Sequence, residues 1–169
     1  MHSTRKHPIW FICIIFLLQA CGMYSFTGAS ISPEVKSISI DFFPNQAEVV
    51  NPTLSQTFTE GLKDHFLQQT NLILKRDEGD LHFEGEIVQY SIKPVASTAE
   101  QNTSQNRLTI AVRVRFYNKF DEDKNFDTRF SRFADFPSSQ NIASIEEELV
   151  AEIVQELEEN IFNKALVNW

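Results

Sequence analysis

The side chains able to do chemistry in this sequence are few and scattered. The two cysteines, Cys13 and Cys21, both lie near the start, so the body of the chain holds no thiol nucleophile. Of the four histidines, only His65 and His82 fall beyond that region, and their separation has no ligand-like spacing. No metal site is therefore expected. Glu84 and Glu86 are two apart, which on a strand places both on one face about 7 Å from each other. That separation suits an inverting glycosidase, but it equally suits two solvated side chains on an alternating strand. The sequence contains no nucleophile elbow, phosphate loop, His-Glu-x-x-His or calcium loop. No catalytic residue and no cofactor is assigned, and no enzyme is expected. What remains is a group of arginines: Arg113 and Arg115 two apart, with Arg129 and Arg132 on the segment that follows. Guanidinium groups placed together hold phosphates or sugar acids through paired hydrogen bonds. The alternative is cross-strand pairing with Glu84, Glu86 or Asp127.

Cys21 has a context of its own. Residues 1–20 begin with Arg5 and Lys6, continue with the unbroken apolar run Ile9 to Leu18, and end Gln19-Ala20. Ten helical residues span about 15 Å, half a bilayer core, so the run is a signal peptide and not a membrane span. The ending Leu18-Gln19-Ala20-Cys21-Gly22 resembles the lipobox of bacterial lipoproteins. That resemblance implies a diacylglyceryl group on the Cys21 thiol, cleavage before it, and acylation of the new N-terminus. Several acyl chains anchor a protein stably where one is marginal. With Cys13 removed and Cys21 lipidated, no free thiol would enter an oxidising compartment. Gly22, where an Asp would resemble an inner-membrane sorting signal, points to the outer membrane, with the domain facing the periplasm. Residues 21–34 read as a lipidated tether, in which Tyr24 and Phe26 sit at headgroup level or cover a sheet edge.

The leader holds Arg5 and Lys6 and no acidic residue, so without it 13 basic and 23 acidic side chains remain. That balance argues against nucleic acid as a partner. About 150 residues suffice for one domain with a real core.

The elements that must position the arginines follow from periodicity. Val35–Phe42 alternates, with Ile38, Ile40 and Phe42 on one face, and predicts a strand that Phe43-Pro44-Asn45-Gln46 ends. Asn51-Pro52 opens a helix in which Leu54, Phe58, Leu62 and Phe66 form a stripe, and Gly61 implies close approach to a neighbouring backbone. Leu72–Lys75 is a short strand, and Asp77–Asp80 is a turn. The next strand alternates from Leu81 to Ile87 and then changes phase at Val88, which predicts a bulge. The thirteen residues 94–106 lack periodicity and read as a long polar loop. Leu108–Tyr117 points Leu108, Ile110, Val112, Val114 and Phe116 one way, and Phe126–Phe136 completes a hairpin with it. Ser144 and Glu147 form a capping box for a last helix, with Ile145, Leu149, Ile153, Leu157, Ile161 and Ala165 buried and Glu152, Glu156, Glu158 and Glu159 opposite. Phe43, Phe120, Phe133 and Phe136 fit the inward phases poorly and are expected at an exposed interface or in loose strand-end packing.

The order β-α-β-β-β-β-α predicts a single α+β domain over 35–169. Its expected form is a two-layer sandwich: a mostly antiparallel sheet of four to five strands with two helices on one face.

This order, together with Cys21-Gly22 and Tyr-Ser-Phe-Thr-Gly (24–28), resembles the LptE family of lipopolysaccharide-assembly lipoproteins, most nearly its Bacteroidetes branch. The segments NPTLSQTFTEGLKD (51–64), GDLHFEGEIVQYSIKPVA (79–96) and SIEEEL through NKALVNW (144–169) carry the likeness. It implies a lipoprotein that plugs an LptD-like outer-membrane β-barrel translocon, helps it assemble, and contacts lipopolysaccharide through basic side chains. Arg113, Arg115, Arg129 and Arg132 are the candidates by chemistry alone. The alternative is an envelope lipoprotein that binds peptidoglycan or another envelope protein and takes no part in lipopolysaccharide export.

Overall fold

A computed structural model describes residues 31–95 and 104–167. The leader, Cys21, most of the tether and the middle of the 94–106 segment lie outside the described residues. The elements in chain order are β1 (Ser37–Ile40), α1 (Leu54–Gln69), β2 (Ile73–Lys75), β3 (Leu81–Val95), β4 (Gln105–Asn118), β5 (Phe126–Pro137) and α2 (Glu146–Leu166). The five strands form one sheet in the order β2-β1-β3-β4-β5. β3–β4 and β4–β5 are long antiparallel ladders, whereas β1 pairs in parallel with both β2 and β3. The sheet is therefore mixed, and both helices pack on one of its faces.

Apolar periodicity accounts for the core. Leu54, Phe58, Leu62 and Phe66 of α1 are all fully buried, as are Leu108, Ile110, Val112, Val114 and Phe116 of β4. An aromatic chain ties the layers together: Phe162 on α2 meets Phe66 on α1, Phe66 meets Phe83 on β3, Phe83 meets Phe116 on β4, and Phe116 meets Phe126 on β5. The centroid separations of 4.7–5.2 Å are those of favourable aromatic pairs.

β1 is buried on both faces, which alternation alone does not reveal. Ile38 and Ile40 face the helices. Ser37 and Ser39 face the other way and are covered by residues 76–80, which cross over β1 from β2 to β3. Two strand spacings are about 10 Å, within reach of five residues. Gly79 rides so close to β1 that a Cβ there would lie 2.4 Å from Ser39 N. The serine hydroxyls accept from Gly79 and Asp80 N–H groups, so small polar residues are required there.

Several local expectations change on folding. After Ile40 the chain slips phase, so Phe42 is exposed and Phe43 is fully buried. Phe43 N–H donates to Thr59 Oγ1 of α1, and its ring packs on Phe58. Gly85 makes room for it, since a Cβ there would lie 2.6 Å from that ring. Phe136 is also buried, while Phe120 and Phe133 are exposed. The regular helix α1 begins at Leu54, yet Asn51 Oδ1 accepts from the Thr53 and Leu54 N–H groups and so caps it. The Ser144–Glu147 capping box does not form: Ser144 donates to Asn141 O in a short 3-10 turn that precedes α2. The neighbour that Gly61 admits is a side chain, not a backbone. It is the Glu158 carboxyl, and Glu158 is buried between the helices and not on the solvent face.

Candidate functional site

With both helices on one side, the other face of β3, β4 and β5 carries the polar side chains. Strand alternation and register place them in cross-strand rows. Glu84 opposes Arg115 and Arg115 opposes Asp127; Glu86 opposes Arg113 and Arg113 opposes Arg129. The expected bulge falls between Ile87 and Gln89, and it keeps this face polar on both sides of the break. Before it His82, Glu84 and Glu86 point outward; after it Gln89, Ser91 and Lys93 do.

Pairing dominates the electrostatics of this face. Arg113 faces Arg129 across the ladder, so its guanidinium turns to Asp127 instead, with contacts of 2.8 and 2.6 Å. Arg115 Nε donates to Glu84 Oε1 at 2.6 Å, and the Tyr117 hydroxyl donates to the same oxygen at 3.1 Å. Arg107, which sequence reasoning did not single out, makes a two-point pair with Asp135 at 2.7 and 2.8 Å and stacks on Phe133 at 3.6 Å from the ring centre. It continues the outward phase of Arg113 and Arg115, the signal by which it was findable. These hydrogen bonds hold Asp127, Glu84 and Asp135 below the usual carboxylate range and raise the three arginines above theirs. Arg129 donates to the neutral Gln89 Oε1 at 2.5 Å, and neither it nor Lys93 has an ion-pair partner among the described residues.

The four arginines do not form one patch. Arg132 opposes the inward Ile110 and therefore lies on the helix side. There it bonds Asn160 and pairs with Glu156 of α2 at 3.5 Å. Arg113, Arg115 and Arg129 share the open face.

Only the sequence can say what family this sandwich serves. A model of the LptE lipopolysaccharide-assembly family matches residues 35–165, from the residues before β1 to the last turn of α2. The chain belongs to the LptE family. No curated protein matches it. Among solved structures, the fold is similar to that of a minor lipoprotein from Acinetobacter baumannii, with a TM-score of 0.52 and 12% identity, covering 77% of this chain and 91% of that one. A Xanthomonas campestris protein is similar with a TM-score of 0.53 and 9% identity, covering 82% and 90% of the two chains. A neuraminyllactose-binding hemagglutinin homolog from Helicobacter pylori gives a TM-score of 0.51 and 9% identity, covering 84% and 89%. At such identities these likenesses speak for the fold. In this LptE-family chain no helix among the described residues is long and apolar enough to cross a membrane.

Proposed function

We propose that this chain is the lipid-anchored lipoprotein of a lipopolysaccharide-export translocon in the outer membrane. In this reading Cys21 carries the lipid, the sandwich faces the periplasm, and an LptD-like β-barrel is its partner, which it plugs and helps assemble. The observation that carries the reading is the family match, which runs through every element of the sandwich. The open sheet face supports it. That face is broad and charged, a surface suited to the polar interior of a barrel. The anchor would hold the domain near any membrane partner at high effective concentration, so modest intrinsic affinity suffices.

Contact with the phosphates and sugar acids of lipopolysaccharide is assigned first to Arg129. An anion at Arg113 or Arg115 must displace Asp127 or Glu84, whereas at Arg129 it competes only with an amide oxygen. Arg132, turned to the helices, is the least suited of the four. The test is purification of the lipidated chain from outer membranes in mild detergent. A β-barrel should accompany it in fixed ratio. Recovery of peptidoglycan fragments or another envelope protein, with no barrel, would favour the alternative function.

A further inference from the structure

We propose that Asp41, His82 and Glu84 form a binding site for a zinc-class divalent metal ion. The fold assembles the three from different elements. Asp41 follows β1 on the same outward phase as Ser37 and Ser39, and its N–H donates to Phe83 O at 2.9 Å, which sets it beside β3. His82 and Glu84 are two apart on β3 and point to the same face. One ligand atom from each lies within 4.8 Å of the other two, and His82 Nε2 is 3.7 Å from Asp41 Oδ2.

The surroundings orient each ligand. His82 Nδ1 meets Ser39 Oγ at 2.8 Å, and that hydroxyl also accepts from Gly79 N–H at 3.1 Å. With the ring proton on Nδ1, Ser39 Oγ accepts both hydrogens through its two lone pairs, and the Nε2 lone pair is available to an ion held between it and Asp41. A ligating imidazole whose other nitrogen is held in this way is the usual arrangement around zinc. The His82 ring also stacks on Tyr117 at 6.0 Å, which limits its rotation. Glu84 is fixed through one oxygen: Oε1 accepts from both Arg115 and Tyr117, and Oε2 has no hydrogen-bond partner among the described residues.

The donor set chooses the ion. One imidazole and two carboxylates suit zinc, whereas calcium requires six or more oxygens and magnesium an octahedron of them. Tetrahedral bonds of about 2.1 Å place ligand atoms about 3.4 Å apart, so the site closes with side-chain shifts of about 1 Å. Asp41, more exposed than His82, makes most of that shift, and water takes the fourth position. The two carboxylates offset the charge of the ion, Glu84 through Oε2 while Oε1 keeps its bond to Arg115. The ion would pin β1 to β3, a seam with only three registered pairs.

The test is calorimetric titration of zinc chloride into the untagged, lipidated full chain in detergent, with melting followed in parallel. One zinc ion per chain should bind, and zinc should raise the melting temperature. Asp41→Asn, His82→Gln and Glu84→Gln should each weaken binding at least about tenfold, while His65→Gln, altering the other histidine beyond the leader, leaves it unchanged. Substituted cobalt(II) should give the intense visible bands of a four-coordinate site. Should His82→Gln melt early in chelator, Glu84→Gln decides the matter. Absence of zinc binding, or equal affinity in Glu84→Gln and the parent, overturns the proposal.

Discussion

The carboxyl group of Glu158 on α2 lies against the bare Cα of Gly61 on α1, so close that a Cβ at residue 61 would stand 2.1 Å from Oε1. Burial raises the carboxyl, and the Asp64 charge adds to this; together they push its pKa up to about 7.

A glutamate in the unfolded chain titrates near 4.5, so the folded state holds this proton more tightly. The contribution to stability is therefore full below about pH 4.5 and declines as the pH rises through 7, by about 3 kcal/mol in all. Asp80, Glu84, Asp127 and Asp135 have lowered pKa values and work in the opposite sense: their contributions exist above the ordinary carboxylate range and vanish in acid. His65, held below its usual range by burial, also costs stability as the pH falls, so stability should decline both in acid and above neutrality. Glu158→Gln should flatten the fall between pH 5 and 8 and melt above the parent at pH 8. Identical pH profiles for the two would show that Glu158 does not titrate in this window.

Tyr90 links the sheet to both helix starts. Its hydroxyl donates to Glu146 Oε1 at 2.5 Å, and Asn51 Nδ2 donates to the same oxygen at 2.8 Å while Asn51 Oδ1 caps α1. Burial and the Glu146 hydrogen bond raise the phenol above its ordinary range. Tyr90→Phe should cost about 1.5–3 kcal/mol in denaturant unfolding, the worth of a hydrogen bond to a charged group. A smaller loss would mean that Asn51 alone holds Glu146.

Asp80 ties down the start of β1. One carboxylate oxygen accepts from the Lys36 and Ser37 N–H groups at 3.0 Å and from the Ser37 hydroxyl at 2.8 Å. Asp80→Ala leaves the Ser37 N–H without that partner beneath the crossing segment and should destabilise by about 1–3 kcal/mol. Amide exchange should quicken first in β1 and β2. Uniform quickening across the sheet would contradict this local role.

Most of the sandwich is legible from single-strand and single-helix periodicity. Leu54, Phe58, Leu62 and Phe66 announce α1, Leu108 to Phe116 announces β4, and the phase change at Val88 marks a real bulge, because each pattern records which side of one element meets the core. Features set by a second element are hidden. Phe43 is buried because Gly85 and Thr59 receive it. Glu158 is buried because Gly61 leaves space for it. Arg132 is a partial exception: three positions from Arg129, it must face the opposite way by alternation along β5, and only its partners Glu156 and Asn160 on α2 are hidden from the sequence. Asp41 joins His82 only through the parallel pairing of β1 with β3, which no local pattern encodes.

On the open face, Arg113, Arg115 and Arg129 are expected to act on ligand more than on stability, since the ion pairs of the first two are solvent-exposed and Arg129 bonds only an amide oxygen. Arg129→Ala should weaken binding of purified lipopolysaccharide more than Arg113→Ala or Arg115→Ala, and Arg132→Ala should leave it unchanged. Equal losses at Arg129 and Arg132 would show that the ligand does not read this face.

Depletion of the chain in its native host asks whether it serves lipopolysaccharide export. Surface lipopolysaccharide, measured by labelling intact cells, should fall while the amount retained inside the cell, short of the outer leaflet, rises, and the wild-type gene should restore it. Normal surface labelling after full depletion would contradict the account.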